Sequence, residues 1–296
     1  MGKINPVLSI DNITKSYGSI DALKNVHIDF SGNKIYGLFG RNGAGKTTLL
    51  DIIASRIFAD KGNVIYLGKD ITKHPEIIAK DCCYMPEKHY FPGSLKVKTL
   101  LSYAQMSFSD YNVQTEERLC QIFKLNTDQK YKDLSRGFQS IFRIVCGLAS
   151  TAPITIFDEP VLGLDAVARD QFYQELIETF TGNPRLYIIS THFIEESADL
   201  FNEAIIIHKG QILRQAPVAS LLSNAFYVSG NSSRVNTFVE KRTIIGIQTI
   251  NDQKTAVVEG DLHSEPPSQG LRFSPLTIQK LFIHLTNNQI QQELKP

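Results

Sequence analysis

Residues 40–47 read GRNGAGKT, directly after the apolar run KIYGLFG (34–40) and directly before KTTLLDIIASRI (46–57). A glycine-rich turn between a strand and a helix is a cradle for phosphate. The glycines at 40, 43 and 45, with Asn42 and Ala44 between them, let backbone N–H groups turn inward around phosphate oxygens. The helix N-terminus adds partial positive charge. Lys46 supplies a cation to the terminal phosphates, and the Thr47 hydroxyl is a ligand for Mg²⁺. A second run, ITIFDEP (154–160), ends in two acids. Carboxylates at the C-terminal edge of a buried strand face the crevice where ligands bind in open α/β sheets. Asp158 is placed to hold Mg²⁺, directly or through water, and Glu159 to polarise an attacking water. Taken alone, Asp-Glu-Pro is equally a turn or a helix start.

A third stretch, KDLSRGFQSI (132–141), has two readings. Ser135 caps a following helix by accepting orphan backbone N–H groups, or the same geometry serves a ligand. His192, in STH after the apolar LYIIST (186–191), is either a satisfied structural histidine or a group that meets phosphate.

The elements around these residues are those of an α/β protein. KIYGLFG, ITIFDEP, LYIIST and AIIIHKG (204–210) are short apolar runs bounded by Gly, Pro or polar residues. Helical patterns such as AVARDQFYQELIETF (166–180) separate them. Near-continuous apolar strands alternating with helices predict a parallel sheet covered on both faces. The first 31 residues show partial alternation and predict antiparallel strands, and residues 88–150 turn mostly helical, as an insertion in the core. After residue 222, FYVSG, TIIGIQTI and TAVVEG predict short strands, HSEPPSQG a loop, and LTIQKLFIHLTNN a closing helix. The expected division is 1–221 for the nucleotide domain and 222–296 for a small accessory α/β domain.

Of 296 residues, 42% are apolar, enough for a sizeable core, and 31 Lys and Arg balance 30 Asp and Glu. That balance, with scattered basic residues, argues against nucleic acid as the main partner. Cys82, Cys83, Cys120 and Cys146 fit no metal spacing and read as free thiols of a reducing compartment. MGKINPVLSI has no apolar signal core, and Pro6 breaks the myristoylation pattern. No apolar run approaches the length that spans a bilayer. The chain is expected to be soluble by itself, with any membrane role dependent on a partner. Lys and Glu pairs outside the motifs read as solvated surface.

In combination and order, the motifs of roughly residues 7–220 resemble the nucleotide-binding subunit of ABC transporters. GRNGAGKTT, including Thr48, matches Walker A and ITIFDEP matches Walker B. The resemblance implies a P-loop NTPase (RecA-like) core with an antiparallel β subdomain and a helical insertion at about 88–150. It implies ATP and Mg²⁺ as ligands. Tyr17 in KSYG would stack on adenine. YMPE places Glu87 in the loop that contacts Mg²⁺ and senses the membrane subunit. LSRGFQ matches the signature, so Ser135 and the Gly137 backbone would reach the γ-phosphate held by an opposite subunit. GLD places Asp165 in the loop that crosses the dimer interface. His192 would be the γ-phosphate switch, acting with Lys46 and Glu159. The implied partners are an integral membrane permease and a second ATP-binding subunit, head to tail, on the cytoplasmic face of the membrane.

Three departures stand out. Glu87 occupies a position usually held by Gln. Arg136 stands where the first signature Gly usually does, and Phe138 where Gln does, while Gly137 is kept. The basic residue often found shortly after the signature is absent, the chain reading SIFRIV (140–145). Glutamate in that loop and LSRG resemble the ABC-2 exporter branch of drug, antimicrobial-peptide and lantibiotic-immunity transporters. A different class remains open at this point: a soluble ABC ATPase that clamps a cytosolic scaffold. A ribosome-acting protein usually has two cassettes, and a DNA-acting one needs a longer insertion between Thr47 and Asp158.

Overall fold

The computed structural model describes residues 7–88, 91–265 and 270–287. The opening MGKINP, the middle of the HSEPPSQG loop and the last Asn of the closing-helix stretch lie outside the described residues. Two compact units emerge: Met1–His192 with Leu200–Ile212, and Phe193–Asp199 with Leu213–Pro296.

In chain order the first unit begins with β1 (Leu8–Tyr17), β2 (Ile20–Phe30), β3 (Ile35–Phe39), α1 (Lys46–Ile53), β4 (Lys61–Tyr66) and β5 (Lys69–Asp70). It continues with α2 (Glu76–Ala79), β6 (Cys82–Met85), α3 (Val97–Ser107), α4 (Val113–Ile122), α5 (Arg136–Ala149), β7 (Ile154–Asp158), α6 (Ala166–Gly182) and β8 (Leu186–Ser190). After α7 (Ile194–Ser197), which belongs to the second unit, come β9 (Glu203–His208) and β10 (Gln211–Pro217); the unit boundary runs through β10.

The central sheet has the order β10-β9-β3-β8-β7-β6, and β9, β3, β8, β7 and β6 run parallel to one another. Every residue of β3, β7 and β8 is buried, as strands covered on both faces must be. The expected antiparallel subdomain is a second sheet, β2-β1-β4-β5. In β2 the burial alternates strictly from Val26 to Phe30, so one face joins the core and the other meets solvent.

The expected helical stretch holds α3, α4 and α5, with α5 the innermost. Ten consecutive α5 residues, Ser140–Ala149, are buried, which makes it a core helix rather than an amphipathic surface one. A Cβ on Gly147 would lie 2.4 Å from the Phe157 ring, so α5 seats on β7 only because that position has no side chain.

Two expectations need correcting. The helix expected over 46–57 ends at Ile53. Ser55 sits in the left-handed region at φ +54°, and the Arg56 N–H turns back to the Asp51 carbonyl at 2.8 Å, closing the last turn. Nor are the Lys and Glu pairs outside the motifs all solvated, since Lys34 meets a Glu203 side chain that is only 13% exposed, and other acids are buried outright. Glu116 is buried, accepting from Tyr111 at 2.7 Å and from Gln105, and Glu175 is buried against Arg118 at 2.7 Å.

The second unit contains α8 (Val218–Ser223), β11 (Ala225–Asn231), α9 (Ser232–Val239), β12 (Ile244–Ile250), β13 (Gln253–Glu259), β14 (Leu271–Pro275) and α10 (Ile278–Thr286). Its sheet order is β12-β13-β11-β14, antiparallel throughout. The connection β11–α9–β12 steps over β13, which makes a split βαβ unit. Phe226, Val228, Val235, Ala256 and Val258 form its core.

On α10, His284 is half-buried. Its Nε2 lies 3.4 Å from the Tyr227 hydroxyl, and its Nδ1 has no hydrogen-bond partner. Burial, and then the Lys280 charge, hold its pKa below the ordinary 6.5. The unfolded chain therefore takes up this proton more readily than the folded one. The contribution is complete above pH 6.5 and is lost as pH falls through the lower folded value. Hydrogen exchange on the full chain, corrected for intrinsic rates, should show α10 amides opening more easily at about pH 5 than at about pH 7. His284→Phe should flatten that dependence; an equal dependence in the variant would contradict the assignment.

Candidate functional site

The first unit carries a cleft of about 820 Å³ where the C-terminal ends of β3, β7 and β8 open. Its lining includes Tyr17, residues 41–48, Glu87, Asp158, Glu159 and His192. Most of the motif residues read from the sequence thus meet in one place. Gly40 lies just beneath, where a Cβ would come within 2.7 Å of Ile207.

The cradle depends on backbone that only glycine tolerates. Gly43 has φ +76° and Gly45 φ +105°, and a Cβ on Gly45 would lie 2.5 Å from the Ala22 carbonyl. Gly45 is the N-cap of α1, so the helix N-terminus opens onto the cleft with Lys46 as its first residue. The Lys46 ammonium is buried, donates to the Gly40 carbonyl at 2.8 Å and lies 3.6 Å from Glu159 Oε1.

Parallel register sets the acidic edge. Asp158 on β7 pairs with Ser190 on β8. The Ser190 hydroxyl donates to Asp158 Oδ1, and the Thr47 hydroxyl donates to Asp158 Oδ2 at 2.7 Å. One hydroxyl and one carboxylate oxygen, side by side at the helix start, are a hard-oxygen donor pair. That pair fits Mg²⁺, which takes one or two carboxylates and completes its shell with water and phosphate. Glu87 also lines the cleft. Among the described residues no three His, Cys, Asp or Glu side chains cluster as a self-sufficient metal site.

Glu159 has φ +51°, a left-handed conformation that costs on the order of 1–3 kcal/mol for a non-glycine residue. Its N–H donates to the Ser190 carbonyl and hydroxyl, both at 3.1 Å. The turn swings the buried carboxylate across the cleft, where Oε2 lies 2.7 Å from His192 Nδ1 and also accepts the His192 N–H at 3.3 Å. Lys46, Glu159 and His192 therefore form one chain of polar contacts. Tyr17 is half exposed at the end of β1, with Lys15 Nζ 5.5 Å from its ring centroid.

Ser135, Gly137 and Asp165 do not join that cleft. They line a separate depression of about 330 Å³. Ser135 caps α5, accepting from the Phe138 N–H at 3.3 Å, and Asp165 caps α6, accepting from the Ala168 N–H at 2.8 Å. Gly137 has a reason within the chain to lack a side chain, since a Cβ would come 2.7 Å from the Gly163 carbonyl. The signature turn and the loop before Asp165 are packed backbone to backbone.

Two participants escape the sequence reading. Ser190 is hidden as the last residue of an apolar run. Arg143 lies in the SIFRIV stretch beyond the position where a basic residue is usual. It is buried, and its Nη1 donates to the Pro86 carbonyl at 2.9 Å. Burial pushes its guanidinium pKa down, with Tyr131, Asp158 and Glu87 opposing that effect. The four cysteines are free thiols, as expected.

Gly137→Ala should cost about 1–3 kcal/mol, because the opposing atom is a backbone carbonyl that cannot swing away. The check is a urea midpoint that falls with an unchanged slope. An unshifted midpoint would mean that the two loops separate freely.

Comparison with known proteins agrees with this geometry. Residues 23–162 match the family described as ABC transporter. The ABC transporter ATP-binding protein YtrB of Bacillus subtilis is 28% identical over 196 residues, 66% of this chain and 67% of that protein. The lantibiotic transport ATP-binding protein SrtF of Streptococcus pyogenes is 29% identical over 213 residues, 70% of this chain and 89% of that one. Among solved structures, a dimeric ATP-binding cassette in a post-hydrolysis state with ADP and Pi superposes with a TM-score of 0.64 at 20% identity. It covers 71% of this chain and 98% of that one, and at this identity the likeness speaks for the fold. No helix of the described residues is long and apolar enough to cross a membrane. The chain carries an ABC transporter ATP-binding domain over residues 23–162 and is an ATPase of that kind.

Proposed function

We propose that this subunit powers an exporter of a peptide, drug or other toxic compound, working on the cytoplasmic face of the membrane with a permease. The observation that carries the mechanism is the contact chain Lys46–Glu159–His192 in the nucleotide cleft, with Ser135, Gly137 and Asp165 lining a separate depression. A nucleotide held by residues 40–48 and Tyr17 is only half enclosed by this chain. The signature of a second cassette, related head to tail, closes the other side. That cassette is a second copy or a homologue.

In this scheme the backbone of the cradle and Lys46 bind the phosphates. Thr47, Asp158 and Glu87 would hold Mg²⁺, which would neutralise charge on the phosphates. Glu159 accepts a proton from the attacking water, and His192 keeps that carboxylate oriented and meets the γ-phosphate. Exchange of the Lys46 and His192 contacts for contacts to phosphate is the step that links nucleotide occupancy to cassette closure. The Glu87 loop carries the movement to the permease. Export rests on the named role of SrtF and on the exporter-like Glu87 and LSRG.

The test is isolation of this chain from its native membranes in mild detergent, with identification of what accompanies it. A polytopic membrane protein is the expected result, and its sequence would narrow the substrate. A soluble scaffold in its place, with ATP binding intact, would overturn the transporter reading in favour of a clamp.

A further inference from the structure

Arg143 is 4% exposed, yet it touches two segments besides its own helix. Its Nη1 donates to the Pro86 carbonyl at 2.9 Å, one residue before Glu87, and reaches the Asp158 carbonyl at 3.4 Å. Its Nη2 donates to the Ser140 hydroxyl at 2.7 Å. The Ser140 hydroxyl in turn donates to the Leu162 carbonyl at 2.8 Å, in the loop that leads to Asp165. One guanidinium thus joins the loop at Glu87, the end of β7, the signature helix and, through one hydroxyl, the loop before Asp165.

A merely structural plug is a poor description of this side chain. Burying a cation costs several kcal/mol, and an apolar residue of similar volume fills such space as well or better. The Nε has no hydrogen-bond partner, so the geometry is set by the two terminal nitrogens, Nη1 reaching carbonyls on two different segments and Nη2 the Ser140 hydroxyl. Lysine cannot replace that arrangement, because an ammonium is a point donor without a planar fork. Glu87 and Arg143 also complement each other in charge, the loop held by the Arg143 guanidinium at Pro86 carrying a carboxylate at the next residue.

We infer that Arg143 is a positioning residue that ties the Glu87 loop to Asp158 and to the loop before Asp165, so that displacement of one is felt at the others. This rests on the proposed role of the Glu87 loop as the contact with the membrane partner.

The experiment compares the full-length chain with Arg143→Met, Arg143→Lys and Glu87→Gln, alone and combined. Two readouts are taken, hydrogen exchange and steady-state ATP hydrolysis. Arg143→Met should fold with a melting temperature near that of the parent, since an apolar residue is tolerated in such a place. Amides of 87–88 and of 161–164 should both exchange faster in it, at least about tenfold, while those of β3 stay unchanged. Its kcat should fall about 10- to 100-fold with KM for ATP little changed, the signature of misplaced groups rather than lost binding. Arg143→Lys should not restore either readout. Combined with Glu87→Gln, the loss should be smaller than the product of the single effects. Unchanged exchange in both segments, a parental kcat in Arg143→Met, or strictly multiplicative effects would each overturn the inference. If the parent chain hydrolyses no ATP but the exchange coupling is present, the tie stands and the proposed function fails.

Discussion

A single buried carboxylate, that of Glu159, sets the requirements for the cleft. A charge this deeply enclosed must be paired, because its desolvation in an apolar interior exceeds what any one weak contact returns. Here the pairing comes from Lys46 at 3.6 Å and from His192 at 2.7 Å. Each contact places a demand on a different element. Lys46 must open α1, which needs the positive φ of Gly45. His192 must follow β8, which needs β7 and β8 in the register that sets Asp158 beside Ser190. Glu159 itself must turn left-handed to reach between them.

That arrangement is also what makes the site responsive. The Lys46 cation and the His192 imidazole both serve the carboxylate. Under the proposed function a bound triphosphate would compete for both, leaving the carboxylate to face water. In that reading the same groups that satisfy a buried charge would also recognise nucleotide. Ser135 and Asp165 show a parallel economy, since each caps its own helix while standing at a surface that a second cassette would cover. Arg143 lies between the two regions and gives them a common mechanical link.

Much of this was legible in the sequence because its physical signals are local. A parallel strand buried on both faces reads as an apolar run, as β3, β7 and β8 do. A phosphate cradle needs glycine at fixed spacing, and a strand-ending acid pair needs only its strand. What stayed hidden depends on contacts between distant segments. Ser190 acquires its role through inter-strand register, and Arg143 through the seating of α5 against β7. The burial of Glu116 and Glu175 depends on Tyr111 and Arg118 arriving from elsewhere. The early end of α1 turns on one left-handed serine, which carries no distinctive sequence signal. The split βαβ order of the second unit likewise follows from strand pairing that short alternating runs do not encode.

The most direct measurement is hydrolysis of labelled MgATP by Glu159→Gln, with nucleotide binding measured alongside. The substitution keeps the shape and removes the base. The account predicts that ATP binds as it does to the parent chain while turnover falls at least about 100-fold, the scale of a lost general base. Turnover within about threefold of the parent, with ATP bound equally well, would contradict the claim that this buried carboxylate is the centre of the site.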